Sequence, residues 1–464
     1  MKKNVFMVVS SNILTLMVSL FMGFIVPKCL SVDNYAYFRI YQLYVGYAGL
    51  FHLGLVNGIY LKYGHLDYEQ LEIGEMKYYS CAMYVLQIIV TLGLFLLLVS
   101  LMPDDQNVAI AYAFTIINIP ITNIKWFYSS INQFTRRFTI DGIVTYIQNL
   151  LLCIMVIILI VFKAYNYKFL LIFITGVNIF AMVTVMAQNK ELVGVAHKGE
   201  TQKNCSAFAL IKEGFFFMLS EFVAIIILGI DSIFVQNLFS LNEFAMYSFA
   251  VSIISVMYSL ISAVSNLIYP YLVRADDGKY AFYYTLMSDV FTVLALLVMV
   301  AFYVAKFVVR IWLLKYNDSL LIAAILFGTI VFRILIMLVG GNYFKVLKLT
   351  KQYAINNAIS IVLAFVLNLI AYVWFKDYTY IAYASLLSFI IWYIITDFGF
   401  IKELHIPVKE CILRYVAITL CLVIFYILFY VQDIFAAIIY FVTTLIICAI
   451  CFHKQIKIIL GELR

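Results

Sequence analysis

Fourteen runs of roughly 20 apolar residues, separated by short polar breaks, constrain this chain more than any other feature. They fall near 4–26, 35–61, 78–101, 107–130, 142–162, 168–189, 213–237, 244–271, 283–305, 319–341, 354–375, 379–400, 412–431 and 434–452. Inside a bilayer each backbone N–H and C=O must be satisfied within its own segment, so runs of this kind fold as spanning helices. A mean hydropathy of +1.03 with 12% charged residues excludes a water-soluble protein. The expected fold is an all-α integral membrane protein of about 14 transmembrane helices. The start Met1-Lys2-Lys3 leads directly into the first run, which lacks an A-x-A-like cleavage site, so this run is expected to be a retained helix.

Loop charge gives the orientation. With the N-terminus in the cytoplasm, Lys and Arg crowd the cytoplasmic loops and tails by about three to one over the outer loops. One missed or invented helix would invert each later loop and blur this imbalance. Both termini are therefore expected inside. The same rule accounts for the net charge of +7 without invoking nucleic acid.

The spans also repeat. VPKCLSVDNYAYF (26–38) returns 209 residues later as VQNLFSLNEFAMY (235–247), and NGIY (57–60) meets NLIY (266–269) at the same offset. Six helices per repeat preserve orientation, so the copies are expected to be parallel, about an axis along the membrane normal. This predicts an N-lobe over 1–190, a cytoplasmic linker over 191–211, a C-lobe over 212–402, and an added helix pair with a tail over 403–464. Every other loop is short, which leaves no room for a soluble catalytic domain.

Charges within spans are costly and therefore informative. The cations are Arg39, Lys125 and Arg333; the anions are Glu221, Asp231, Asp289 and Asp397. Arg39, Asp231 and Asp397 lie near span ends, where a charge can snorkel to the interface. The deeper ones either pair between helices or line a water-filled cavity. Glu221 and Asp231 lie about 80° apart around one helix, close enough to face one cavity. Span 2 carries Gly46, Gly49, Gly54 and Gly58 with His52 and Asn57 between them, and Gly54-x-x-x-Gly58 permits close helix packing. His52 reads as a hydrogen-bonded interior residue or a proton carrier. The repeat counterpart of span 2 carries Ser259, Ser262, Ser265 and Asn266. Asn57 and Asn266 thus occupy matching places, where small polar residues suit two helices facing a central cavity. Pro120 is placed to bend span 4. NQFTRRF (132–138) and NYFKVLKLTK (342–351) mix cations with aromatics, as positive-inside charge or as sites for phosphate headgroups.

The eight cysteines are scattered and read as packed thiols. Cys448-x-x-Cys451 with His453 ends a hydrophobic run and lacks a full zinc ligand set; neither a metal nor a cofactor is expected. No G-x-x-x-x-G-K-[ST], G-x-S-x-G, H-E-x-x-H or TVGYG occurs, which argues against an ATP motor, a common hydrolase or a potassium filter.

LGIDSIFVQNLFSLNEFAMYSFAVSIISVMYSLISAVSNLIYPYLVR (228–274) resembles the middle of the Wzx-type polysaccharide and O-antigen flippases, members of the multidrug/oligosaccharidyl-lipid/polysaccharide exporter superfamily. The shared features are an Asp late in helix 7, an aromatic-Ala-x-Tyr opening to helix 8, and a closing Tyr-Pro-Tyr. The resemblance implies a cavity lined by helices 1, 2, 7 and 8 in the bacterial cytoplasmic membrane. It implies flipping, without covalent change, of undecaprenyl-pyrophosphate-linked oligosaccharide units for O-antigen, capsule or exopolysaccharide. Arg39 and Arg333, then Lys125, would hold pyrophosphate; Asn57 and Asn266 are further substrate-binding candidates. Glu221, Asp231 and Asp289 would couple H+ or Na+. Implied partners are membrane lipids, a polysaccharide polymerase and a chain-length regulator. Helix 1 carries no charge, unlike the drug-exporting and lipid II-flipping relatives. The alternatives are a multidrug or organic-cation antiporter and, in another class, a membrane-embedded O-antigen polymerase or lipid-glycan transferase.

Overall fold

The computed structural model describes residues 14–15, 17–194, 206–272, 279–453, 455 and 461; the side chains at 138, 220, 221, 224, 228, 259, 260, 262–271, 350 and 410 lie outside the description. Among the described residues the regular elements are all helical. In chain order the main ones are α1 (Val32–Val45), α2 (Leu55–Tyr63), α3 (Ile73–Ser100), α4 (Gln106–Phe134), α5 (Phe138–Val161), α6 (Tyr167–Gln188) and α7 (Ala207–Leu238). These are followed by α8 (Leu241–Leu272), α9 (Tyr280–Val298), α10 (Val300–Trp312), α11 (Ser319–Ile334), α12 (Thr350–Phe375), α13 (Tyr378–Glu403), α14 (Val408–Leu428) and α15 (Asp433–Cys451). Side chains close several N-termini: Ser31, Asp105, Asn166 and Asp377 each accept a backbone N–H from the first turn that follows.

Among the described residues, 11 helices are long and apolar enough to cross a membrane. The difference from fourteen arises at three places. The first expected span is described only in part, as the shorter apolar helix Met17–Cys29, the second is a broken helix, and the seventh lies within α7, where several side chains are outside the description. Pro120 sits inside α4 without ending it.

The chain divides into two compact units, Met1–Gly229 and Ile230–Arg464, whose boundary falls within α7. In the first unit α4 packs against α1, α3 and α6, and α5 against α6. Its core joins Met76, Tyr79 and Met83 of α3 to Tyr128 and Ile131 of α4 and Ala181 and Val185 of α6. The outer face of α3 presents Ile88, Ile89, Leu92 and Leu96, a surface suited to lipid. In the second unit α11 is the central element: apolar on all sides and almost wholly buried, it packs against α8 and α13. It runs into a π-helical segment, Leu335–Gly340, and a last α-helical turn, Gly341–Val346.

Span 2 is discontinuous. After α1 the chain makes a 3-10 turn over Ala48–His52, passes through left-handed Leu53 (φ 52°) and Gly54 (φ 88°), and restarts as α2. A Cβ at Gly58 would overlap the backbone of Leu210, and one at Gly214 would overlap the backbone of Gly54 and Gly58. The backbones of α2 and the start of α7 therefore touch directly, as the Gly54-x-x-x-Gly58 spacing allows. Gly58→Ala and Gly214→Ala are each expected to destabilise the protein by about 1–3 kcal/mol through overpacking. Thermal unfolding of the detergent-purified protein measures this; unchanged midpoints in both variants would refute the close contact.

Candidate functional site

Asp231 lies in the C-terminal half of α7 and is 6% exposed. A buried carboxylate is tolerated only when donors surround it. Here Tyr247 of α8 donates to Oδ2 at 2.7 Å, Ser385 of α13 donates to Oδ2 at 3.0 Å, and the Ser232 N–H donates to Oδ1 at 2.6 Å. Among the described residues no cation pairs with it. The sequence allowed Asp231 to snorkel; instead its carboxylate ties three helices together.

Arg333 lies in the last turn of α11, two residues before the π-helical segment begins, and is 7% exposed. Its guanidinium carbon sits 3.5 Å from the ring centroid of Tyr258, a cation–π stack. The Tyr258 hydroxyl meets Thr329 Oγ1 at 2.8 Å. Nε and Nη1 of Arg333 are buried without a hydrogen-bond partner. Among the described residues it is the buried cation that no carboxylate neutralises. Tyr258 interacts electrostatically with both Arg333 and Asp231, so these two expected site residues share one neighbourhood.

Asp289 belongs to a different cluster. Arg414 of α14, at the start of the run expected over 412–431, is fully buried; its Nε donates to Asp289 Oδ1 at 2.9 Å and its Nη1 to Asp397 Oδ1 at 3.0 Å. Tyr284 and Tyr415 donate to Asp397 at 2.7 and 2.6 Å, and Gln455 donates to Asp289 Oδ2 at 2.7 Å. Asp397, expected to snorkel, is fully buried. Lys306 falls just beyond the run expected over 283–305. It lies inside α10, fully buried, 3.0 Å from Asp433 Oδ1, with Arg310 on the same oxygen. Hydropathy assigns a cation near a span end to the loop; here the apolar helix continues past it because a carboxylate waits on a neighbouring helix.

In the first unit the break in span 2 is held by side chains. Asn123 donates to the Ala48 carbonyl at 3.0 Å, Gln87 to the Phe51 carbonyl at 3.0 Å, and the Gly54 N–H to His52 Nδ1 at 3.0 Å. His52 therefore caps backbone, and its ring lies edge-on to Trp126 at 5.4 Å. Arg39 donates to Gln42 at 2.8 Å. Lys125 donates to Gln148 at 2.6 Å, which begins a relay through Asn178 and Asn118 to Thr175. Arg39 and Lys125 thus engage neutral amides of different helices, while Asn57 is buried on α2. The side chains of Glu221 and Asn266 lie outside the described residues. Among the described residues no group of three or more His, Cys, Asp or Glu side chains is placed to hold a metal ion.

No family model matches the chain, and no curated protein matches it. Solved structures do. The lipid II flippase MurJ, in an inward closed conformation, superposes with a TM-score of 0.67 at 14% identity over 100% of both chains. An inward-facing multidrug resistance MATE family transporter of the MOP superfamily superposes with a TM-score of 0.60 at 12% identity, over 84% of this chain and 94% of that one. The chain has the fold of these transporters. Identity this low fixes the backbone and leaves the side chains open. What the shared transporter fold does here has to be read from this chain's own buried charges.

Proposed function

We propose that this chain is a flippase that moves polyprenyl-pyrophosphate-linked oligosaccharide from the cytoplasmic to the outer leaflet of the bacterial cytoplasmic membrane by alternating access. The observation that carries this reading is Arg333: a buried guanidinium with two unclaimed nitrogens and, among the described residues, no carboxylate partner, on a fold shared with a lipid II flippase. Unpartnered guanidinium donors of this kind suit phosphate oxygens. In the first unit Arg39 and Lys125 are likewise bonded to neutral amides rather than to carboxylates. No covalent step is required. The inside-negative potential drives an anion outward, by about 2.3 kcal/mol per charge per 100 mV. The unit would then pass to a polymerase and chain-length regulator for O-antigen, capsule or exopolysaccharide assembly.

Asp231 favours a second reading. A buried carboxylate with hydroxyl donors and no cation can take up H+ or Na+, as an antiporter of organic cations requires. One experiment separates the two. In proteoliposomes, an imposed inside-negative potential is expected to drive export of lipid-linked oligosaccharide from the matching leaflet. With the potential clamped at zero, an inward pH or sodium gradient is expected to sustain export only while Asp231 is intact, so Asp231→Asn removes that component and keeps the voltage-driven one. Transport of organic cations without transport of the glycolipid would overturn the flippase reading.

A further inference from the structure

We infer that the first unit carries a subsite for a single neutral sugar ring, built by α2, α4 and the N-terminal half of α7; the inference rests on the glycolipid reading above. A cavity of about 300 Å3 is lined by Val56, Asn57 and Tyr60 of α2, Trp126, Ser130 and Gln133 of α4, and Phe217 of α7. That size is at the low end for small-molecule pockets, which suits one ring rather than a whole oligosaccharide.

The composition of the lining selects the ligand. Among the described residues none of the lining side chains is charged, which does not suit pyrophosphate. Three aromatics, Tyr60, Trp126 and Phe217, offer flat apolar faces. A pyranose presents a matching patch of axial C–H bonds on one face, while its hydroxyls point outward in the plane of the ring. Those hydroxyls both donate and accept, and so do the amides of Asn57 and Gln133 and the hydroxyl of Ser130. An acyl or prenyl chain would bury these polar groups without return, which argues against a lipid tail as occupant.

The backbone supplies an independent observation. The lining starts directly after the left-handed break at Leu53 and Gly54, and broken spanning helices in transporters characteristically flank substrate sites. The break is fixed from within by Asn123, Gln87 and His52. Trp126 is oriented by its contacts with His52 and with Phe222, at 5.4 and 6.1 Å. Val56, Asn57 and Tyr60 share one face of α2, and Trp126, Ser130 and Gln133 recur at helical spacing on α4. The cavity is thus preformed: Asn57 and Ser130 are buried at its floor, and Tyr60, Gln133 and Phe217 are exposed at its rim.

Trp126 is the sole tryptophan before residue 312, so it can report on its own cavity. The test uses the full-length protein in nanodiscs with Trp312, Trp374 and Trp392 replaced by Phe. Two probes are titrated against Trp126 emission: bare undecaprenyl pyrophosphate, and lipid-linked oligosaccharide extracted from host cells deleted for this chain. The glycosylated lipid is expected to bind about tenfold more tightly than the bare one, the worth of one or two hydrogen bonds with stacking. Tyr60→Leu and Ser130→Ala should each reduce that preference, while Tyr60→Phe, which keeps the ring, should retain it. Equal binding of the two lipids, or a preference untouched by both Tyr60→Leu and Ser130→Ala, would overturn the subsite and leave the phosphate reading standing. Arg333→Ala is expected to weaken both lipids equally. If it weakens neither while the sugar preference persists, the phosphate assignment fails and the subsite survives.

Discussion

Replacing Arg333 by alanine is expected to abolish glycolipid export while leaving the protein folded and at its normal level in the membrane. The two halves of this expectation follow from one geometry. A buried guanidinium with Nε and Nη1 unpartnered is a net cost to the fold, since each unmade bond forfeits solvation. Removing it orphans no carboxylate, because none pairs with it among the described residues. What is lost is the stack on Tyr258, about 0.5–2 kcal/mol. For the substrate the balance is opposite. Two charge-assisted hydrogen bonds to phosphate are worth about 3–6 kcal/mol together, so transport should fall by a hundredfold or more. Arg333→Lys keeps the charge and loses the fork, and should retain an intermediate rate. Surface glycan, normalised to the amount of protein in the membrane, is the measurement. Full glycan from Arg333→Ala at wild-type protein level would remove Arg333 from the site.

Much of the fold was legible because the bilayer is an unforgiving solvent. It forces each apolar run to satisfy its own backbone, so runs of about 20 residues translate into helices. The close packing of Gly58 was legible for a related reason, since small residues at a spacing of four have few other uses in a span. Its partner Gly214 was not, because the contact joins backbone separated by more than 150 residues and leaves no trace in either local pattern. The break in span 2 was also hidden. Hydropathy over 35–61 is continuous, and what stops the helix is a set of distant donors, Asn123 and Gln87, that claim its carbonyls. Of the site residues, Arg333 and Asp231 were marked by the cost of a charge in a span. Whether such a charge is used for function or for structure depends on what stands opposite, and that depends on tertiary geometry. Asp289 illustrates this: it is as deep as Asp231, and the difference is Arg414, 125 residues away.

Arg414 provides the contrasting case, and its removal should have the largest effect on stability of any single charge change among the described residues. It holds Asp289 and Asp397 at once, fully buried. Arg414→Leu would leave two uncompensated carboxylates inside the second unit, and breaking one buried pair alone costs about 3–5 kcal/mol. The variant is expected to vanish from the membrane, or to unfold at a much lower temperature when purified. The triple variant Arg414→Leu, Asp289→Asn, Asp397→Asn should recover most of the loss. Its amides can still bond Gln455, Tyr284 and Tyr415, the donors that serve the carboxylates now. Asp289→Asn alone should be milder, because Asp397 still neutralises Arg414. Arg414→Lys should not rescue, since one ammonium cannot supply the separate Nε and Nη1 bonds that reach two acids. Protein level and melting temperature across this series are the readout. Wild-type stability of Arg414→Leu would mean that the triad is not a structural lock. In that case the distinction between a paired arginine serving the fold and an unpaired one serving the substrate would lose its physical basis, and the assignment of Arg333 would lose its principal argument with it.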